Sequence, residues 1–420
     1  MSVTHFMSVI SSIGSMCGHC SYEETVNHDR VLLMTRHRRP TTLRFSHVEL
    51  RNWRNFTNVD VALSRRVFLI GPNASGKSNL LDAFRFLRDL VAVGGGLQEA
   101  VQRRGGVSSL RSLAARRYSD IVIQVRIGSD DEPADWQYAL TFNQDNRSRP
   151  IIKSETVYNH GQQLLQRPDQ HDQQDSERLT QTYLEQVNAN QAFRNVAEFF
   201  ASIRYLHVVP QLIREPDRSV GKTNDPFGGD FLETVARTPE KTRNARLRRI
   251  QDALVFAVPQ LRELELSRDI RGTPHLRGKY EHWRPQGAWQ SEEHFSDGTL
   301  RLLGLLWAIQ EGVGPLLLEE PELSLHSEVV RYIPQMFART QRRSGRQVLV
   351  STHSSDILRD EGIGLDEVFL LLPGKEGTTV QPASANTEVK LLVDQEYSLA
   401  DAVIPHTRPE QVQQLLLFDR

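Results

Sequence analysis

Cysteine is almost absent from this 420-residue sequence, which contains only two, Cys17 and Cys20, in the string CGHC. So few cysteines exclude a small disulfide-rich extracellular fold. A redox pair would need a thioredoxin-like strand and helix around it, and a zinc site would need two further ligands. Neither context is visible, so we assign the pair no function. We predict that residues 1–40 are a disordered N-terminal extension.

Net charge is also almost absent, since 51 Lys and Arg residues are balanced by 52 Asp and Glu residues. Overall charge therefore gives no argument for nucleic-acid binding, and DNA contact would need a local patch. Two basic clusters, at 243–249 and 342–346, are each either a solvated surface or a DNA contact. No apolar run approaches the roughly 20 residues of a membrane-spanning helix, and the start lacks the basic region of a signal peptide. We predict a cytoplasmic protein that contacts no membrane.

From residue 43 onward the sequence alternates between strand-like and helical patterns. Alternating or apolar segments predict strands at 43–50, 59–63, 67–70, 121–127, 136–142 and 203–209. Helical spacing predicts helices at 79–90, 177–202 and 239–257, and the last two lack the heptads of a coiled coil. The alternating strands at 121–127 and 136–142 predict an antiparallel sheet beside the core. The segment 159–178 is rich in Gln and Asp, which predicts an exposed, mobile loop.

The string GPNASGKS at 71–78 fits the pattern G-x-x-x-x-G-K-[ST] in full. Its glycines let successive backbone N–H groups face one anion, and the helix that follows adds its partial positive charge. In such a loop Lys77 reaches the β- and γ-phosphates of a nucleotide and the Ser78 hydroxyl ligates Mg²⁺. The apolar strand before the loop and the amphipathic helix after it are the context that this chemistry needs.

A second apolar strand, at 315–318, ends in two acids, Glu319 and Glu320. A buried strand delivers both carboxylates to the carboxyl edge of the sheet, beside the phosphate loop. We expect Glu319 to hold the Mg²⁺ shell and Glu320 to orient and deprotonate the attacking water. The alternative is an exposed acidic turn before Pro321, which explains the charges but not the apolar run.

Two further motifs lie on either side of these acids. The apolar strand 347–351 is followed by His353, and an imidazole there can donate to the γ-phosphate and so sense its presence. The string FSDGT at 295–299 precedes a helical run, which Ser296 or Asp297 would cap while leaving N–H groups free for an anion. Helix caps are common without any function, so this motif alone is weak evidence. It becomes informative through its position in the order of the other motifs.

Taken in order, GPNASGKSN, FSDGTLRLL, LLLLEEPELSLH and STHSSDIL resemble the motifs of ABC-type ATPases of the RecF/SMC/OLD group. The resemblance implies an α/β P-loop NTPase head, with a flanking antiparallel sheet and an inserted helical or mixed lobe. It implies ATP and Mg²⁺ as ligands, Glu320 and His353 as catalytic residues, and 323–326 as the D-loop. The implied nucleotide-binding residues are Gly71, Pro72, Asn73, Ala74, Ser75, Gly76, Lys77, Ser78, Asn79, Arg54, Asn55, Gln211, Ser296 and Gly298. The implied metal ligands are Ser78, Glu319 and Gln211.

Some positions depart from the family pattern or fit it loosely. Glu319 stands where the Walker B motif usually has aspartate, and Asp297 stands where many members have glycine in the signature motif. The glutamine of the Q-loop is either Gln211, which we prefer, or Gln144. The string Arg54–Asn55–Phe56 resembles the loop at the edge of the nucleotide.

The motif positions also predict a division of the chain. After the extension, we predict an N-terminal ATPase part at 41–93, a flanking sheet and inserted lobe at 94–290, a C-terminal ATPase part at 291–372 and a tail at 373–420. The interval between Lys77 and Ser296 is too short for the coiled-coil arm of SMC proteins. The roughly 60 residues beyond Leu358 are fewer than the roughly 100 that a nuclease domain needs. We therefore expect an ATPase that does not cut DNA alone.

The resemblance implies a head-to-tail homodimer in which the Ser296 turn of a second copy completes the site around ATP. By analogy with the family, we predict ATP hydrolysis in DNA repair or phage defence, with a separate effector or nuclease as partner. The alternative is a nucleotide-gated scaffold, which would hold an effector, hydrolyse ATP slowly and not remodel DNA. Direct DNA binding is left open by the sequence.

Overall fold

The computed structural model describes residues 42–115, 119–216, 225–282 and 288–408, together with Gln414. The predicted extension at 1–40 lies outside these residues. The strands of the described residues are β1 (Arg44–Trp53), β2 (Phe56–Ala62), β3 (Arg66–Ile70), β4 (Ile121–Gly128), β5 (Trp136–Gln144), β6 (Pro150–Asn159), β7 (Gln162–Arg167), β8 (Arg204–Leu206), β9 (Leu261–Arg268), β10 (Pro274–Tyr280), β11 (Ala288–Ser291), β12 (Leu316–Glu319), β13 (Val348–Thr352), β14 (Val368–Gly374) and β15 (Gly377–Pro382).

Helices connect and cover these strands. The α-helices of the described residues are α1 (Lys77–Val91), α2 (Leu97–Gln102), α3 (Val107–Leu110), α4 (Gln170–Gln174), α5 (Arg194–Ala201), α6 (Pro210–Arg214), α7 (Phe231–Arg237), α8 (Glu240–Ala257), α9 (Asp297–Gln310), α10 (Ser327–Val330), α11 (Ile333–Ser344), α12 (Thr387–Asp394) and α13 (Leu399–Val403). Short 3₁₀ helices lie at Ser176–Thr180, Gln191–Phe193, Glu292–His294, Ile357–Arg359, Ala383–Ala385 and Ile404–Thr407. None of the helices in the described ranges is both long enough and apolar enough to cross a bilayer.

The central sheet has the strand order β15-β14-β3-β13-β12-β8. Its strands β14, β3, β13, β12 and β8 run parallel, and β15 is an antiparallel edge strand. Both faces are buried: in β3, Val67 and Leu69 belong to one apolar core, while Phe68 and Ile70 belong to another. This explains why the strand is a continuous apolar run and not an alternating one. The first core includes residues of α1 and the second includes residues of α9.

A six-stranded antiparallel sheet, in the order β2-β1-β4-β5-β6-β7, shares the first core with α1. Alternate residues of β4 are fully buried (Ile121, Ile123, Val125 and Ile127). The predicted flanking sheet is confirmed, because alternation marks a sheet that buries one face. A separate three-stranded sheet, β11-β10-β9, contributes with α7 and α8 to the second core.

The segment 159–178 was expected to be an exposed, mobile loop; most of it is exposed, but the expectation of a loop is wrong. It forms β7, α4 and part of a 3₁₀ helix, and Arg167 within it is fully buried. The Arg167 guanidinium pairs with Glu155 at 3.1 Å and with Asp172 at 2.8 Å. These opposite charges neutralise one another, which allows Arg167 and Asp172 to be buried within a segment that is otherwise mostly exposed.

Two other boundaries differ from the sequence patterns. The predicted helix at 177–202 is an α-helix only at Arg194–Ala201. The predicted boundary between residues 372 and 373 falls within β14, and β15 beyond it belongs to the central sheet. Scattered apolar residues of α12 and α13 complete the second core (Val389, Ala400, Ala402 and Val403).

Candidate functional site

Three neighbouring strands of the central sheet end at the candidate site. Glu319 of β12 is in register with Ser351 of β13, which is in register with Leu69 of β3. The segments that leave these strands therefore begin at one level of the sheet. Parallel α/β sheets bind ligands at this carboxyl edge. The fold thus brings together the loop 71–78, the acids 319–320 and His353.

The loop 71–78 is held in shape by Asn55 in the turn between β1 and β2. The Asn55 amide donates to the Ser75 carbonyl at 2.9 Å and accepts from Asn79 Nδ2 at 2.7 Å. Gly76 has a φ of 96°, and a Cβ there would lie 2.2 Å from Asn55 Nδ2. A larger residue would therefore be strained and would also push away the side chain that supports the loop.

Lys77 is buried at the start of α1. Its Nζ donates to the carbonyl oxygens of Gly71 at 3.0 Å and Pro72 at 3.1 Å, so the ammonium group lies across the loop. Burial lowers the pKa of Lys77, and the nearby carboxylates of Glu320 and Glu319 oppose this effect. The ammonium group of Lys77 therefore lies near several carboxylates, and a divalent cation bound together with an anionic ligand would offset their negative charge.

Both oxygens of the Glu319 carboxylate accept hydrogen bonds from hydroxyl groups. Ser78 Oγ donates to one oxygen and the Tyr205 hydroxyl of β8 donates to the other. Burial raises the pKa of Tyr205, and the charge of Glu319 raises it further, so this hydroxyl remains a donor. Hydroxyl and carboxylate oxygens are the ligands that Mg²⁺ prefers. Ser78 and Glu319 therefore fit a magnesium site.

Glu320 and His353 face each other at the end of the sheet. His353 Nε2 lies 3.4 Å from Glu320 Oε1. Burial lowers the pKa of His353, the Lys77 charge lowers it further, and Glu320 opposes the shift. The Glu320 backbone has a φ of 43° and its N–H donates to the Ser351 carbonyl at 2.9 Å. A positive φ at a non-glycine residue costs energy and is typical of functional turns.

The turn 295–299 starts α9, and Ser296 caps this helix by accepting from the Thr299 N–H at 3.1 Å. Asp297 pairs with Arg214 at 2.6 Å. A Cβ at Gly298 would lie 2.5 Å from the Ser324 carbonyl, so the turn packs closely on the segment predicted to be the D-loop. Within the described residues, no hydrogen bond or ion pair joins this turn to the loop 71–78 of the same chain.

The other predicted residues lie at varying distances from this edge. Gln211 is exposed on α6, and none of the hydrogen bonds of the described residues joins it to Ser78 or Glu319. Its rival Gln144 ends β5 in the flanking sheet, where its Oε1 accepts from Ser108 at 3.4 Å. Arg54 pairs with Asp82 of α1 at 2.8 Å. The roles of all three predicted residues stay predictions.

A cavity of about 1080 Å³ opens beside the loop 71–78. It is lined by the β1–β2 turn, by residues 108–109 and 111–114, and by the turn between β14 and β15. Three residues from the sequence prediction line it (Arg54, Asn55 and Asn79). A volume of this order accommodates a small organic ligand.

Sequence reasoning missed Tyr205 and Glu322. Glu322 accepts hydrogen bonds from the Thr352 hydroxyl at 2.6 Å and from the His353 N–H at 3.1 Å. A signal for it exists, because Glu322 is the third acid of the string EEPE. Tyr205 lies in a short strand and reaches Glu319 only through strand pairing, so no local pattern indicates it.

The central parallel sheet, with these motifs grouped at its carboxyl edge, has the fold of a P-loop NTPase head. A family model described as "AAA domain, putative AbiEii toxin, Type IV TA system" matches residues 66–359. This match covers well over half of the chain, so the chain belongs to that AAA family. None of the curated proteins compared with the chain matches it significantly.

Two solved structures are similar to this chain. A crystal structure of the SmcHead bound to the C-winged helix domain of ScpA has a TM-score of 0.50 at 13% identity, covering 80% of this chain and 96% of that one. An Smc head domain with an extended coiled coil, bound to the C-terminal domain of ScpA and derived from Pyrococcus furiosus, has a TM-score of 0.48 at 13% identity. That match covers 84% of this chain and 100% of the other. At this identity the first likeness shows the fold alone.

Proposed function

We propose that this protein binds ATP with Mg²⁺ and hydrolyses it at the carboxyl edge of the central sheet. The observation that carries the proposal is the grouping of a buried lysine, a hydroxyl bonded to a carboxylate, and an acid facing an imidazole. Phosphoryl transfer needs positioned charges more than covalent chemistry, and this grouping supplies them. The matched family is one of AAA ATPases, which supports the same conclusion.

Each residue has a distinct task in this proposal. Lys77 and the backbone N–H groups of the loop bind the β- and γ-phosphates. Ser78 and Glu319 would hold Mg²⁺, which neutralises phosphate charge when bound. Glu320 orients the attacking water and accepts its proton, and neutral His353 donates to the γ-phosphate. We place the adenosine in the cavity beside Asn55 and Arg54.

Phosphate release from ATP tests this function. The wild-type protein should release phosphate only with Mg²⁺. Lys77→Ala should lose nucleotide binding, while Glu320→Gln should bind ATP and hydrolyse it about 10²-fold more slowly. Glu265→Ala, on the separate three-stranded sheet, is the control and should match the wild type. Undiminished ATP binding by Lys77→Ala would refute the assignment of the loop.

We further propose that the active form is a head-to-tail dimer. The Ser296 helix cap presents its N-terminal partial charge without a hydrogen bond to the loop 71–78 of its own chain. A second copy can therefore present this turn to the phosphates. Closing two such surfaces around ATP would make binding the closing step and hydrolysis the reset.

Mixing two inactive variants tests the dimer. Lys77→Ala lacks the lysine contact to the phosphates but keeps the Ser296 turn. Ser296→Arg keeps the lysine contact but has a blocked Ser296 turn. In a head-to-tail dimer of the two, one composite site is intact, so the mixture should regain up to about half of the wild-type rate per mixed dimer. Each variant alone should remain inactive. A mixture that stays inactive, or full activity of Ser296→Arg alone, would contradict the trans role.

The finer biological role is a proposal by analogy. The matched family description names a toxin and a type IV toxin–antitoxin system, and the SmcHead structure has a domain of ScpA bound. We propose that this ATPase works with a separate effector in DNA repair or phage defence, and its cytoplasmic location stays a prediction. If it remodels DNA, DNA should raise the ATPase rate severalfold. If DNA leaves the ATPase rate unchanged, and a protein that co-purifies with Glu320→Gln changes it, the alternative of a nucleotide-gated scaffold would be favoured.

A further inference from the structure

Glu322 connects the loop after β12 to the end of β13. Its Oε1 accepts from the Thr352 hydroxyl at 2.6 Å and from the backbone N–H of His353 at 3.1 Å. These are the two residues at which β13 ends and the histidine loop begins. A hydrogen bond to a charged acceptor is among the stronger ones in proteins. The side chain of Glu322 therefore holds the backbone that carries the imidazole.

The surroundings of Glu322 are not those of a surface acid. Its Oε2 is buried and, among the described residues, has no hydrogen-bond partner. Burial raises the pKa of Glu322, and the charge of Glu320 also raises it, while the hydrogen bonds from Thr352 and His353 oppose both effects. Such a half-satisfied buried carboxyl costs stability, so its presence calls for a function.

The same short segment also contacts the turn that begins α9. Two consecutive hydrogen bonds make the segment compact: Leu323 N–H donates to the Glu320 carbonyl at 3.2 Å, and Leu325 N–H donates to the Glu322 carbonyl at 3.0 Å. Ser324, with a φ of 61°, directs its carbonyl at Gly298, where a Cβ would approach it to 2.5 Å. There is no free space between the Gly298 turn and Ser324, so a movement of the turn toward this segment would displace Ser324.

We propose that Glu322 is a positioning residue that transmits the position of the Gly298 turn to His353. The turn presses on Ser324, the compact segment moves as one piece, and the carboxylate of Glu322 carries the movement to the His353 backbone. When the Ser296 turn engages the nucleotide of a second copy, the position of His353 in its own chain would change. His353 is the residue that faces the γ-phosphate bound by that chain. This inference rests on the proposed ATPase function.

Hydrogen–deuterium exchange of the nucleotide-free protein tests the contact without any hydrolysis. Glu322→Ala removes the acceptor of the His353 N–H, so exchange in a peptide covering 349–356 should rise at least about tenfold. Glu322→Gln keeps a carbonyl oxygen that can accept both hydrogen bonds, so its exchange should stay within about threefold of the wild type. Equal exchange in Glu322→Ala and the wild type would overturn the inference.

Two glycine substitutions on α9 test the transmission. Gly298→Ala inserts a methyl group against the Ser324 carbonyl and should raise exchange at His353 in the wild type but not further in Glu322→Ala. Gly304→Ala is the matched control. Gly304 lies on the same helix as Gly298, but its added methyl group would meet a methyl group of Val208, at 3.0 Å, and not the Ser324 carbonyl. It should leave His353 unchanged. The coupling would be overturned if hydrogen exchange at His353 were unchanged by Gly298→Ala, or if it rose equally with both substitutions.

Kinetics separate positioning from a general loss of structure. Glu322→Ala should lower kcat about tenfold, with the half-saturating ATP concentration and the melting temperature nearly unchanged, and Glu322→Gln should recover most of the rate. In a His353→Ala background, Glu322→Ala should cause no further loss. Additive losses would refute the role of Glu322 while leaving the ATPase function intact. Absence of hydrolysis by the wild type would instead refute the proposed function.

Discussion

Tyr205→Phe isolates the hydroxyl that holds Glu319. The substitution removes the hydrogen bond from the Tyr205 hydroxyl to one oxygen of the Glu319 carboxylate. It keeps the aromatic ring, over which the Arg85 guanidinium lies at 5.2 Å. Ser78 still donates to the other carboxylate oxygen. The change therefore frees the orientation of Glu319 without altering its charge or its length.

The size of the effect follows from the lost hydrogen bond. A hydrogen bond to a charged group contributes about 1.5–3 kcal/mol, which corresponds to roughly a 10- to 150-fold change in an equilibrium constant. Glu319 is partly exposed, so water replaces part of the bond and the lower end applies. Outer partners of metal ligands typically change metal affinity by about 10- to 100-fold. We expect the half-saturating Mg²⁺ concentration to rise about tenfold.

The assay is Mg²⁺-dependent binding of a fluorescent ATP analogue at equilibrium, repeated with Mn²⁺. Binding of the analogue without metal should be unchanged, because Lys77 and the loop are not altered. Tyr397→Phe, at a residue that is 54% exposed, is the matched control. If Tyr205→Phe leaves the half-saturating Mg²⁺ concentration within about twofold of the wild type, the reasoning about Glu319 is refuted.

Other predictions concern the support of the loop and helix α1. Gly76→Ala should weaken binding of the fluorescent analogue at least about tenfold, since its methyl group would meet Asn55; wild-type binding would contradict this. Asp82→Asn breaks buried ion pairs with Arg104 and Arg54 and should cost about 3–5 kcal/mol of unfolding free energy. Burial opposes ionisation of Asp82, but the arginines lower its pKa. Its contribution is therefore present above the unfolded pKa of ~3.9 and lost as the pH falls further. Acid unfolding that is equally pH-dependent in Asp82→Asn would contradict this.

The sequence predicted the elements that carry their own pattern. The strand at 67–70, the loop at 71–78 and the helix after it follow directly from local residue types, and the structure has them with small boundary shifts. Strand ends in a parallel sheet share one edge, so the proximity of Glu319 to Ser78 could also be anticipated. These features depend on residues that are neighbours in sequence or on a general rule of topology.

The features that were missed depend on partners far apart in the chain. Tyr205 and Glu319 are 114 positions apart, and neither residue alone indicates the other. Arg167 lies in a segment with few apolar residues, and its burial depends on Glu155 and Asp172 neutralising it. Composition reports only that such residues are polar. It does not report that their charges cancel inside the fold.

The central claim is that the loop 71–78 and the acids 319–320 act on one nucleotide. A structure of Glu320→Gln with ATP and Mg²⁺ tests it most directly. The account predicts a γ-phosphate between Lys77 and His353, a metal ion at Ser78 and Glu319, and the Ser296 turn of a second copy over the phosphates. ATP bound away from Lys77, or a metal ion without Ser78 and Glu319 among its ligands, would contradict the account.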